Sequence, residues 1–229
     1  MRPFETFAAR PPYHIQGIAG GSEDLVIAFA SIGHDPTRPP SPEFVRAATA
    51  RDRPALFVMD EARSWATAEG FDAALRGALT TLQARQKITR ILAIGSSMGA
   101  FAALRAAQTL PLTAVLAISP QYHPAASWET RWRAWTYPLP EALTAPLPQG
   151  PYLCLMHGLQ DDAHQSNLFP PQMGCDHILF AEQAHATLAV HLKTRGLVEG
   201  LIDATLEKDR RRLLRILQGA GGQKRQLPR

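Results

Sequence analysis

The chain has 229 residues, 45% of them apolar, a formal net charge of +4 and two cysteines. That length buries a sizeable core within one domain, and no run of 18 or more uninterrupted apolar residues offers a transmembrane helix. Cys154 and Cys175 are too few and too scattered for a disulfide framework or a C-x-x-C metal site.

Residues 14–18 and 25–29 are predicted strands, and the turn signal at 20–24 between them suggests a hairpin. A Pro/Gly-rich loop follows from Ser31 to Pro42. A short helix is expected over 42–50, with Ser41 as its N-cap. Residues 55–59 read as a strand. Apolar side chains at 71, 74, 75, 78, 79 and 82 form a helical stripe over 71–86. A strand at 89–94 and a helix at 98–108 come next. Strands at 113–118, 152–156 and 178–181 follow, and helices at about 187–195 and 198–217 close the chain. Strands that alternate with helices and are almost wholly apolar predict an α/β three-layer sandwich with a mostly parallel sheet.

Residues 121–150 break this rhythm, with five prolines and Trp128, Trp132 and Trp135 at spacings of four and three. That spacing predicts one face of a short helix. The segment is expected to be a small cap insertion, with the three tryptophans lining a substrate pocket; packing in a minor core is the plainer use of the same residues. Arg131 and Arg133 read as a solvated face, with contact to an anionic substrate as the alternative. The excess positive charge gathers near the end, from Lys208 to Arg215 and at Lys224, Arg225 and Arg229. Without interleaved aromatic residues it predicts no nucleic-acid partner, and a flexible basic tail is expected over 219–229. The opening residues lack a signal-peptide core, so a cytoplasmic location is expected.

The chemistry concentrates in Gly95-Ser96-Ser97-Met98-Gly99, between an apolar strand and a small-residue helix. A serine at such a strand-to-helix turn sits in strained backbone with its hydroxyl exposed at the carboxyl edge of the sheet. Its proton needs a base, and the base needs an orienting acid. The strand at 152–156 runs into His157-Gly158-Leu159-Gln160-Asp161-Asp162, which puts a carboxylate at the same edge. Asp161 is the expected acid and Asp162 the alternative. After the last strand comes His185, the expected base. His157 reads as loop support, His177 lies at the wrong end of its strand, and His191 falls inside a helix.

The order Ser, Asp, His and the elbow sequence resemble the α/β-hydrolase fold superfamily, over about residues 13–217. The resemblance implies acyl transfer from an ester, thioester or amide to water through an acyl-serine. It also implies an oxyanion hole of backbone N–H groups, from Met98 and from Ala30 or Ser31, since no His-Gly-Gly-Gly motif follows the early strand. The expectation is a serine hydrolase acting on a small-molecule acyl substrate. An acyltransferase with an alcohol or sugar acceptor is one alternative, and a non-catalytic binding protein on the same fold is another. No cofactor and no metal are expected, because no phosphate-cradling, dinucleotide-binding or H-E-x-x-H motif is present.

Overall fold

A computed structural model describes residues 2–135 and 137–226. Thr136 and the end of the basic tail, including Arg229, lie outside the described residues. Sixteen strands and α-helices position the site. In chain order they are β1 (Glu5–Arg10), β2 (Tyr13–Ile18), β3 (Asp24–Phe29), α1 (Val45–Ala48), β4 (Ala55–Asp60), α2 (Phe71–Gln83), β5 (Arg90–Ser96) and α3 (Met98–Ala106). Then come β6 (Ala114–Ile118), β7 (Tyr152–Gly158), α4 (Ala163–Leu168), β8 (Cys175–Phe180), α5 (His185–Thr194), α6 (Leu197–Leu206), α7 (Arg210–Gly219) and β9 (Gln223–Lys224).

The strands form one sheet in the order β1-β2-β4-β3-β5-β6-β7-β8-β9. From β4 to β8 every pairing is parallel, while β1, β2 and β9 run antiparallel at the edges. The sheet is therefore mixed, with a parallel centre. Side-chain alternation divides each central strand between two cores. Leu25, Ile27 and Phe29 of β3 face α2 and α3, together with Leu75, Leu79 and Phe101. Val26 and Ala28 face the opposite layer, where Leu192, Leu201 and Leu213 of α5, α6 and α7 pack. Burial on both faces explains why these strands read as unbroken apolar runs.

Several local expectations differ from the structure. β2 pairs with β1 and β4, not with β3, so there is no 14–29 hairpin. The chain crosses at Gly20, where a Cβ would lie 2.3 Å from the Asp52 carbonyl oxygen. α1 begins only after Phe44, which takes a left-handed φ of 57°, so Ser41 does not cap it. The expected helix over 198–217 is two helices. Lys208 turns the chain at φ 58°, and Asp209 caps α7 by accepting the Arg212 N–H at 2.8 Å. The described part of the 121–150 segment contains no helix. The described part of the basic tail is tied down at β9, which pairs with β8, and the Arg225 N–H donates to the His177 carbonyl at 2.7 Å.

Candidate active site

Between β5 and α3 the chain turns within one residue, and Ser97 occupies that turn at φ 55°, ψ −122°. The turn is that tight because two glycines flank it. A Cβ at Gly95 would lie 2.2 Å from backbone atoms of Gly99, and one at Gly99 would lie 2.3 Å from the Phe29 carbonyl oxygen. α3 thereby packs directly on the end of β3. Ser97 Oγ lies 2.9 Å from His185 Nε2. The Met98 N–H opens α3 with no acceptor among the described residues, at the positive end of the helix dipole.

The acid on the other ring nitrogen is Asp162, not Asp161. Asp162 Oδ2 lies 2.7 Å from His185 Nδ1 and is fully buried. Asp161 Oδ1 instead accepts the backbone N–H of His185 at 2.5 Å, capping the first turn of α5 from outside the helix. Both carboxylates are brought to the histidine because β7 ends in Gly158. A Cβ there would meet the Gln183 carbonyl oxygen at 2.5 Å, so only glycine lets the two loops close. One residue further along the turn, the side chain enters the protein instead of facing out.

Two residues from the 119–151 segment complete the hydrogen bonding of Asp162. Gln121 Nε2 donates to Oδ1 at 3.0 Å, and Arg131 Nη1 donates to the same oxygen at 2.9 Å. Arg131 also makes a two-pronged pair with Glu129, at 2.9 and 2.6 Å, and donates to Gln121 Oε1 at 2.9 Å. Arg131 is thus internally bonded, and the solvated-face expectation for it fails. Burial raises the pKa of Asp162, but the hydrogen bond from His185 and the nearby charge of Arg131 outweigh it, leaving the carboxyl below its ordinary value. Glu129 is likewise held low despite burial, by its bonds from Arg131 and Gln165. Gln121 lies just past the carboxyl end of β6, a position that marks it in sequence; Arg131 has no local mark.

Beneath the acid loop, His157 and His177 form a directed chain. His157 Nε2 lies 2.7 Å from the Pro120 carbonyl oxygen and must donate to it. Nδ1 of the neutral ring then accepts from His177 Nε2 at 2.8 Å. Burial holds both rings neutral, with His157 lowered to about 4 and His177 to about 2. The chain ties β7 and β8 to Pro120, the neighbour of Gln121.

The two expected oxyanion donors on the β3 loop are occupied. The Ala30 N–H donates to the Val58 carbonyl at 2.9 Å, continuing the β3–β4 ladder. The Ser31 N–H donates to Glu43 Oε1 at 3.0 Å. The next amide, Ile32, has no acceptor among the described residues, and its carbonyl is held by Arg63 Nε at 3.0 Å. Arg63 also binds the carbonyls of Asp35 and Arg38 and stacks on Trp135 at 4.7 Å.

The three tryptophans do not share a face. Trp132 packs 5.0 Å from the His185 ring and 5.8 Å from Trp65, and its buried Nε1 has no acceptor among the described residues. Trp132 and Trp135 border a cavity of about 290 Å³, together with Arg63 and Tyr137. Trp128 is 45% exposed, rests on His164 and is not among the residues lining that cavity. A larger cavity of about 750 Å³ lies at the other end of the sheet, where β8 begins. Its Arg210 and Lys224 are both bound to Asp176, and its Arg225 caps α4 through the Ser166 and Phe169 carbonyls.

Among the described residues no cluster of three or more His, Cys, Asp or Glu side chains is arranged to hold a metal ion, and no helix is long and apolar enough to cross a membrane. No protein-family model matches the chain, and no curated protein matches it. Solved structures do. An α/β serine hydrolase without a lid from Xanthomonas campestris aligns with a TM-score of 0.54 at 16% identity, over 91% of this chain and 94% of that one. Esterase 2 of Thermogutta terrifontis aligns with a TM-score of 0.56 at 17% identity, over 94% of each chain. The capsule O-acetyltransferase of Neisseria meningitidis serogroup A aligns with a TM-score of 0.58 at 12% identity, over 85% of this chain and 92% of that one. With its strand order, its elbow between β5 and α3 and these structural neighbours, the chain has the fold of the α/β-hydrolase superfamily.

Proposed function

We propose that the chain is a serine hydrolase that cleaves a small ester, thioester or related acyl compound through an acyl-serine intermediate. One observation carries this reading: Ser97 Oγ, the His185 ring and the Asp162 carboxylate form an unbroken line of hydrogen bonds, at 2.9 and 2.7 Å. In this reading His185 takes the Ser97 proton as the hydroxyl attacks the acyl carbon. Asp162 holds the Nδ1–H tautomer and stabilises the imidazolium that forms. The imidazolium then protonates the leaving group, and water, deprotonated by the same ring, resolves the acyl-serine.

The developing oxyanion is assigned to the Met98 N–H and, on the β3 loop, to the Ile32 N–H, the first amide there without an acceptor. Each such donor is worth roughly 3 kcal/mol of transition-state stabilisation. Residues 121–150 serve as a small cap. Trp132, packed 5.0 Å from the His185 ring, is the cap residue assigned to the acyl or alcohol pocket; the cavity of about 290 Å³ that it borders with Trp135 is lined by neither Ser97 nor His185.

The test is a fluorophosphonate probe. Covalent labelling mapped to Ser97 and lost in Ser97→Ala supports the reading. A folded parent protein that does not label overturns it in favour of a binding role.

Transfer to an alcohol or sugar acceptor is the second reading. The structural likeness to an O-acetyltransferase is compatible with it. Product analysis with a simple aryl ester, with and without added alcohols, separates the two.

A further inference from the structure

We propose that Arg131 is a positioning residue of the triad: held by Glu129, its guanidinium shares the Asp162 carboxylate with His185 and sets how far into acid the imidazole remains a base. The proposal rests on the serine-hydrolase reading of the same site.

A two-pronged Arg–Glu pair is complete in itself. Glu129 already satisfies one side of Arg131 with both carboxylate oxygens, yet a further nitrogen, Nη1, reaches Asp162 Oδ1 at 2.9 Å. The two oxygens of Asp162 are therefore divided. Oδ2 serves His185, and Oδ1 serves Arg131 and Gln121. Asp162 is fully buried, so little solvent screens a cation this close to it. The next residue, Trp132, packs against the same imidazole at 5.0 Å, and the Arg131 guanidinium lies 5.1 Å above the Trp132 ring. One dipeptide thus fixes both the carboxylate and the ring that depends on it.

The charged and titratable groups facing His185 are few. Asp162 bonds its Nδ1 and Asp161 its backbone N–H. Arg131 and Glu129 stand behind Asp162, and neutral His157 lies below the loop. A cation beside the carboxylate opposes protonation of the imidazole. Its removal leaves Asp162 free to hold an imidazolium, so the ring is protonated, and useless as a base, up to a higher pH.

The experiment follows the rate of fluorophosphonate labelling of Ser97 from about pH 5 to 9, in the parent and in Arg131→Gln, Arg131→Lys and Glu129→Gln/Arg131→Gln. The double variant leaves neither charge buried alone, and decides the matter should Arg131→Gln not fold. The acid limb is expected to move upward by about half a pH unit or more in Arg131→Gln, in the same direction in the double variant, and less in Arg131→Lys, which restores the charge without the fork. An acid limb that stays at the parental position in the folded neutral variants overturns the proposal. NMR titration of the His185 ring reads the same displacement without any reaction. A parent that fails to label therefore removes the hydrolase reading, while the titration still decides the role of Arg131.

Discussion

Asp162 and His185 form the buried half of the site, carboxylate to Nδ1 at 2.7 Å, while the neighbouring Asp161 holds only the backbone of the same histidine. The two aspartates therefore make separable contributions. Asp162→Asn should cost turnover on the order of 10⁴-fold, as the equivalent change does in the serine-protease template, with the fold retained. Asp161→Asn should cost about 1 kcal/mol or less of stability, as a weakened helix cap, with turnover changed far less. Steady-state kinetics and thermal melts on the pair check this, and equal losses of turnover would refute the division of roles.

Gly99 is the point where α3 touches β3. Its missing side chain lets the helix approach to where a Cβ would meet the Phe29 carbonyl at 2.3 Å. Both contacting groups are backbone, so neither yields by rotating a side chain. Gly99→Ala should destabilise the protein by about 2–4 kcal/mol, in the range of core overpacking and strain. It should also abolish Ser97 labelling in whatever fraction folds. Urea unfolding gives the first quantity and the fluorophosphonate probe the second.

Arg63 binds three carbonyls of the loop after β3, Ile32 among them, and carries Trp135 on its guanidinium face. Arg63→Ala should free that loop and lower kcat by about 10-fold or more through the misplaced Ile32 amide, within the range known for loss of one oxyanion donor. A change confined to KM would show that Arg63 serves substrate binding alone.

The His157–His177 pair makes stability depend on pH. Both rings are held neutral in the fold, with His157 lowered to about 4 and His177 to about 2. An unfolded histidine binds its proton near 6.5, so below that pH the unfolded chain holds more protons and stability falls as pH falls. Between about pH 6 and 4 the loss should be on the order of 2 kcal/mol per pH unit. The lowered carboxyls of Asp162 and Asp176 also lose stabilisation as pH falls, but mainly at and below the acid end of this window, while the carboxyl of Asp60, raised by burial, acts in the opposite sense. Urea midpoints against pH should fall less steeply in His177→Gln than in the parent; parallel slopes would exclude the pair as the cause.

What was legible in the sequence was local. The Gly95–Gly99 turn, its strand and its helix are contiguous, so the conformation of Ser97 follows from a short stretch of residues read in order. Apolar strand runs alternating with helical stripes revealed a parallel centre, because burial on both faces leaves no polar alternation. The position of His185 just past β8 rests on the same edge logic, and in space its ring stands 2.9 Å from Ser97. Three features were decided only by tertiary structure. Asp161 and Asp162 differ by one residue in a turn, and which one points inward depends on the approach of the 183–184 backbone to Gly158. Ala30 and Ser31 carry ordinary amides in sequence; β4 and Glu43 occupy them. Arg131 looks solvated until the chain folds Glu129, Gln121 and Asp162 around it. Pattern and propensity record what a residue does with its near neighbours, whereas hydrogen bonds to distant partners are chosen by packing.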